Sequence, residues 1–130
     1  EGTINTKDIP AYWNEHYPNY PGVTVPTDRK GCLQDIHWSH GSFGYFANYS
    51  LGSIIAAQLY AAIEKENVSV NKEIEAGNTI TVLNWLRKHI HQYGREYTSE
   101  QLCKKATGEP LNSTHFIDYA TKKYTAIYGL

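Results

Sequence analysis

The sequence has no methionine, two cysteines and no long run of apolar residues. A membrane-spanning helix needs roughly 20 consecutive apolar residues, so we expect no membrane span and no membrane partner. No signal-like segment is visible at the start. The cysteines, Cys32 and Cys103, lie far apart and form no metal-type pair, which favours a reducing, cytoplasmic location. The missing methionine and the start at Glu1 would fit a segment cut from a longer chain.

Charge of either sign is also scarce. Twelve Lys and Arg residues face thirteen Asp and Glu residues, and the formal net charge is -1. This balance argues against a nucleic-acid partner, which would need a basic surface. Hydrophobic residues make up 41% of the 130 residues. A chain of this size and composition can bury a core of its own, so we predict one domain over residues 1–130.

Hydrophobic periodicity predicts an all-α fold. Four of the five prolines fall within the first 26 residues, so residues 1–30 are expected to be mostly irregular, with room for a helical turn at 11–16. Residues 31–48 form a polar and aromatic segment, and helices follow over 49–130. Apolar spacing and capping residues predict helices over 49–64, 79–93, 98–106 and 113–128. The first of these is apolar nearly all round, which is typical of an interior helix. In an isolated piece of a longer chain, one of its faces should therefore be exposed or buried by self-association.

The densest cluster of chemically useful side chains lies within residues 31–46. The His37 imidazole and the Tyr45 phenol could donate hydrogen bonds, as neutral groups, to a carbonyl oxygen that gains charge during a reaction. Asp35 or Gln34 could orient such a histidine. A structural reading stays open: Asp35 could cap a short helix, Trp38 could fill the core, and His37 could be a satisfied buried imidazole.

A metal site within this sequence is not expected. No H-E-x-x-H pattern occurs, and a zinc enzyme needs about three protein ligands. His37 and His40 are three residues apart and would face one metal only on a helix. No third ligand accompanies them. A small hydrolase with a metal on these two histidines is therefore a minor alternative.

The same segment carries a family signature. Gly31, Gln34, Asp35, His37 and Trp38 match the pattern G-x-x-Q-D-x-H-W of the thermostable-carboxypeptidase (M32) family, which the chain resembles over essentially its whole length. The resemblance continues through residues 41–46, 49–52, 57–58, 85–86, 90–94, 107–109 and 119–128. Ala47 and Asn48 depart from the family, which more often has a proline there.

The resemblance implies a role in removing amino acids from the carboxyl termini of peptides. Members are mostly helical, zincin-like metallopeptidases of several hundred residues, and their metal ligands precede the signature. This chain would then be the carboxy-terminal piece, inactive alone, and its partner would be the metal-binding part of the same enzyme. That part would bind zinc or cobalt. The enzyme could also form a homodimer. The implied catalytic residues are His37 and Tyr45, and the implied substrate-binding residues are Gln34, Asp35, Trp38 and Tyr49. The alternative is a stand-alone helical interaction module without catalysis.

Overall fold

The described part of the chain is helical throughout. A computed structural model describes residues 4–20 and 22–129, and these contain helices and turns but no strand, which confirms the all-α prediction. Glu1, the first residue of the sequence, and Pro21, one of the four prolines in the first 26 residues, lie outside the described residues. The α-helices are α1 (Ile9–His16), α2 (Ala47–Glu66), α3 (Val70–Glu75), α4 (Ile80–His89), α5 (Ser99–Thr107) and α6 (Thr114–Tyr128). None of the described helices is long and apolar enough to cross a membrane.

The chain divides into two compact units. One ends at Ala47 and the other begins at Asn48. The first contains α1 and a series of short 3₁₀ turns, and the second contains nearly all of α2 and the helices that follow it. The single domain expected over residues 1–130 stays a prediction.

The first unit is more helical than its prolines indicated. The sequence allowed a helical turn at 11–16, and α1 begins two residues earlier, at Ile9, with Pro10 inside its first turn. A proline is tolerated there because the first amides of a helix have no intrahelical acceptor. Four 3₁₀ turns follow, at Tyr17–Asn19, Asp28–Lys30, Cys32–Gln34 and Ile36–His40.

Gly31 allows the chain to pass close to α1. Gly31 is buried, and a Cβ atom at this position would lie 2.5 Å from Val25 Cγ1 and 3.3 Å from Trp13 Cδ1. Contacts as short as the first are not tolerated without movement. The first glycine of the signature is therefore explained by packing, because no larger residue fits between these two side chains.

Replacing Gly31 by Ala is expected to destabilise the chain by about 1–3 kcal/mol, the usual cost of overpacking a close contact. Gly52 is the matched control, since it lies inside α2 with nothing within 4 Å of a Cβ atom. Gly52→Ala should stabilise by about 0.5–1 kcal/mol through helix propensity. Urea unfolding followed by circular dichroism measures both. Equal effects of the two variants would contradict the packing role of Gly31.

The core of the second unit forms around the second half of α2. Its buried residues are Ile63, Val70, Trp85 and Ala106. The sequence predicted that α2 would be an interior helix with one face exposed or self-associated in an isolated piece, and Tyr49 and Leu51 near its start are exposed. The core residues of this unit pack against the second half of α2, from Gln58 onwards.

Helix ends in the second unit follow the capping signals closely. Thr98 and Gln101 form the predicted capping box at the start of α5. The last helix, predicted over 113–128, spans Thr114–Tyr128, with the Asn112 side chain accepting the Thr114 amide at 3.0 Å. The helix predicted over 79–93 is shorter, because α4 ends at His89 and a 3₁₀ turn carries the chain to Gly94.

One buried polar residue connects α2 to the loop between α5 and α6. Gln58 is 1% exposed. Its Nε2 donates to Thr107 Oγ1 and to the Pro110 carbonyl, both at 3.0 Å, and its Oε1 accepts the Asn112 amide at 2.9 Å. A buried amide is stable only when its donors and acceptor are paired, so this loop is fixed to α2. Nearby, hydrogen bonds from His115 and Asn112 hold the pKa of Glu109 below its usual range.

Each unit contains one buried cysteine. Cys32 is buried in the first unit and Cys103 in the second, and both thiols are free. Burial raises the pKa of the Cys103 thiol above its usual range. A thiol with a raised pKa carries less of the reactive thiolate, so Cys103 is chemically quiet in the folded chain.

Candidate substrate-binding site

The signature segment folds as a capped 3₁₀ turn. Asp35 precedes the turn Ile36–His40, and its Oδ1 accepts the backbone N–H of His37 at 3.0 Å. Gly41 ends the turn with φ of +82°, a conformation that favours glycine. The cap and the glycine together fix the backbone on both sides of His37. The capping role that the structural reading gave to Asp35 is therefore present.

Asp35 also contacts the imidazole of His37. The distance between Asp35 Oδ1 and His37 Nδ1 is 2.7 Å, and both side chains are largely buried. An ionised carboxylate only accepts hydrogen bonds, so Nδ1 carries the proton in this contact. Nε2 then donates only when the ring is an imidazolium. The neutral ring predicted from the sequence would therefore accept rather than donate through Nε2, and the predicted donor role requires the protonated ring.

Aromatic side chains surround the His37 ring. The centroid of the Tyr45 ring lies 4.8 Å from that of His37, and the Phe46 ring meets the imidazole nearly edge-on at 5.6 Å. The structure thus brings the two predicted catalytic residues together within the first unit. Phe46 belongs to the matching stretch 41–46, but the sequence did not predict its contact with the His37 ring. Its position directly after Tyr45 is the one signal that could have indicated it.

Two further signature residues support this segment from its other side. The Trp38 ring lies 5.6 Å from Phe43 and meets Trp13 of α1 edge-on at 6.4 Å. Gln34 donates through Nε2 to the Arg29 carbonyl, which joins two adjacent 3₁₀ turns. These contacts give Trp38 and Gln34 a supporting role for the turn. A direct contact of either residue with substrate stays a prediction.

Tyr49 lies in the second unit, near the start of α2. It lines a cavity of about 250 Å³ whose other walls are Ser50, Ser53, Ile54 and Phe116. The Ser53 hydroxyl donates to the Tyr49 carbonyl at 3.1 Å. The predicted contact of Tyr49 with substrate stays a prediction.

The residues present do not fit a metal ion. The rings of His37 and His40 lie 5.9 Å apart and nearly perpendicular, and His40 Nδ1 is 3.1 Å from the Ser42 hydroxyl. Among residues 4–20 and 22–129, no three histidine, cysteine or acidic side chains are grouped as metal ligands. The metal site on His37 and His40, which the sequence left as a minor alternative, has no third ligand among these described residues.

A comparison with protein families decides the relationship. The model of the Carboxypeptidase Taq (M32) metallopeptidase family matches residues 1–124. The chain belongs to the M32 family. The match covers α1, the signature segment and the helices up to Tyr124 in α6. It confirms the resemblance seen in the sequence.

Individual proteins agree with the family match. Carboxypeptidase 1 of Bacillus subtilis is 38% identical over 127 residues, covering 98% of this chain and 25% of its own length. The solved structure of an M32 carboxypeptidase from Deinococcus radiodurans matches with a TM-score of 0.90 at 32% identity, over 99% of this chain and 26% of that one. The structure of CHT matches at 52% identity and a TM-score of 0.86, over 94% of this chain and 25% of that one. The chain thus spans about a quarter of the length of these proteins.

Proposed function

We propose that this chain is the carboxy-terminal part of a metallocarboxypeptidase and forms one wall of its substrate cleft. The observation that carries the proposal is the grouping of Asp35, His37 and Tyr45 in a chain of the M32 family. The substrate would be a peptide with a free carboxyl terminus, and the reaction would release its last amino acid. The proposed partner is the part of the same enzyme that this chain does not span.

In this proposal the wall acts through two hydrogen-bond donors. Asp35 accepts the hydrogen bond from His37 Nδ1 and orients the ring, so that Nε2 of the protonated ring can donate to an anionic oxygen. The Tyr45 hydroxyl donates from the neighbouring ring. Both donors would strengthen their hydrogen bonds as the scissile carbonyl oxygen gains negative charge, which lowers the barrier rather than the ground state.

The metal of the family would be held elsewhere in the enzyme. Since the residues described here do not fit a metal ion, we assign zinc or cobalt to residues outside this chain, where it would polarise the scissile carbonyl and activate water. Without that part, the chain alone is expected to be inactive. The homodimer, the cytoplasmic location and the lack of a nucleic-acid partner stay predictions.

The test compares the intact gene product with the 130-residue chain. Each is incubated with zinc or cobalt and an unblocked peptide, and the released amino acids are measured. The intact protein should release carboxy-terminal residues and the chain alone should release none, with circular dichroism showing that the chain is helical. A peptide amidated at its carboxyl terminus is the control and should not be cleaved.

Two results would contradict the proposal. Peptidase activity of the 130-residue chain alone would show that the remaining part of the enzyme is not needed for catalysis. An intact gene product that cleaves no peptide under these conditions would instead favour the alternative, a helical interaction module without catalysis.

A further inference from the structure

The chain turns back toward the imidazole soon after His37. The Ser42 amide donates to the His37 carbonyl at 3.0 Å, and the Tyr45 amide donates to the Ser42 carbonyl at 3.4 Å. These two hydrogen bonds reverse the chain, so that the rings of Tyr45 and Phe46 come to lie against His37. The planes of the Phe46 and His37 rings meet at 75°. All of these residues belong to the first unit, so its local folding alone brings Phe46 to the imidazole.

The hydrogen bond between Asp35 and His37 lies in a largely buried position. The Asp35 side chain is 9% exposed and the His37 side chain is 15% exposed. A hydrogen bond to a carboxylate is stronger where water is excluded, because water competes for the carboxylate oxygen. The orientation of the imidazole therefore depends on the side chains that keep water away from this hydrogen bond.

Phe46 is suited to exclude water because its side chain has no polar atom. The rings of His40 and Tyr45 also lie near the imidazole, but each carries a polar group that can bond to water or to substrate. The Phe46 ring offers water neither a donor nor an acceptor. Removing this ring would therefore open a path for water to the Asp35 carboxylate without removing any hydrogen-bonding group.

We propose that Phe46 is a positioning residue, whose ring shields the hydrogen bond between Asp35 and His37 from water and so fixes the direction in which His37 Nε2 donates. This inference rests on the proposed function, in which His37 donates to the developing oxyanion. Phe46 touches no reacting atom in this proposal. Its effect passes through His37, so that kcat depends on Phe46 and KM does not.

The first test measures the exchange of the His37 Nδ1 proton with water in the intact protein. Proton NMR detects an imidazole N–H only when this exchange is slow, and the signal of His37 is the one that His37→Asn removes. Phe46→Ala should speed the exchange at least about tenfold, because water reaches a shielded proton only while the surrounding structure is open. Phe46→Leu keeps an apolar cover and should stay within about threefold of the wild-type rate.

Tyr12→Ala is the matched control for this measurement. Tyr12 is 47% exposed, close to the 51% of Phe46, and its ring stacks on another histidine, His16, at 4.0 Å. It lies in α1 and has no part in the proposed chemistry. Tyr12→Ala should leave the exchange of the His37 proton at the wild-type rate.

Three results of the exchange measurement would overturn the proposal. The first is an equal exchange rate in the wild type and Phe46→Ala. The second is a wild-type protein without a His37 signal, because its proton would then be open to water. The third is loss of the signal in Phe46→Leu, and this arm decides the question where Phe46→Ala fails to fold.

The second test measures steady-state kinetics of the same variants on an unblocked peptide. Phe46→Ala should lower kcat about tenfold and leave KM within about twofold, since a misaligned donor loses part of its effect on the transition state. Phe46→Leu and Tyr12→Ala should keep kcat within about threefold of the wild type. A loss confined to KM, or a wild-type kcat in Phe46→Ala, would overturn the positioning role.

The outcome is separable from that of the proposed function. An intact protein that cleaves no peptide but shows faster exchange in Phe46→Ala would contradict the proposed function and support the shielding by Phe46. An active enzyme with unchanged exchange in Phe46→Ala would do the reverse.

Discussion

His37→Asn in the intact protein is expected to lower kcat by about 10²–10³-fold, the usual effect of removing one oxyanion donor. Asparagine keeps a polar side chain but has no second ring nitrogen to donate to the oxyanion, unlike the imidazole that contacts Asp35. Tyr45→Phe should lower kcat by a similar factor, since it removes the hydroxyl and keeps the ring that lies 4.8 Å from the imidazole. Steady-state kinetics on an unblocked peptide measure both.

The division of the effect between kcat and KM distinguishes the roles of His37. A donor to the developing oxyanion changes kcat, whereas a donor to the free carboxylate of the substrate changes mainly KM. His91→Asn is the matched control, because His91 is an exposed histidine in the 3₁₀ turn after α4. Wild-type kcat and KM in both His37→Asn and Tyr45→Phe would remove these residues from the proposed mechanism.

Gln58→Leu is expected to lower the free energy of unfolding of the chain by about 2–4 kcal/mol. Leucine has a similar volume but leaves the Asn112 amide and the Pro110 carbonyl without the partner that Gln58 provides. Each buried polar group left unpaired costs about 1–3 kcal/mol. Urea unfolding followed by circular dichroism gives the change.

Gln92→Leu is the control for this substitution, because Gln92 is exposed and its side chain donates to the Lys88 carbonyl four residues earlier. It should change stability by less than about 0.5 kcal/mol. A loss for Gln58→Leu no larger than that of the control would mean that the loop between α5 and α6 does not depend on α2. Peptidase activity need not follow stability in this variant, since Gln58 has no part in the proposed chemistry.

The helices could be predicted from the sequence because their signals are local. Apolar spacing and the capping residues Thr98 and Gln101 determine where a helix forms and begins, and the structure follows them in α5 and α6. The sequence does not predict the early start of α1, because a proline disrupts a helix interior, whereas Pro10 lies in the first turn. The apolar sequence of α2 predicted an exposed or self-associated face in an isolated piece, but not which residues would be exposed, since burial depends on which other elements reach a helix.

The candidate site could be predicted as a set of residues but not as a chemical state. The signature and the matching residues directly after it place Asp35, His37 and Tyr45 in one short segment, and the structure brings the imidazole to both neighbours. Which nitrogen carries the proton depends on a contact of 2.7 Å that no spacing rule supplies. The role of Gln58 had a sequence signal, because a lone amide in an apolar helix conflicts with its surroundings. Its partners, about fifty residues away, did not.

The two cysteines give each unit its own probe of opening. Both thiols are shielded in the folded chain, one on each side of the boundary at Ala47, and no other cysteine competes with them. An alkylating reagent reaches a shielded thiol only while the surrounding structure is open, so the modification rate at Cys32 or Cys103 reports the opening equilibrium of that unit alone. Mass spectrometry of the alkylated chain would therefore resolve, without any engineered label, whether the segment carrying His37 and the helices after α2 open together or independently.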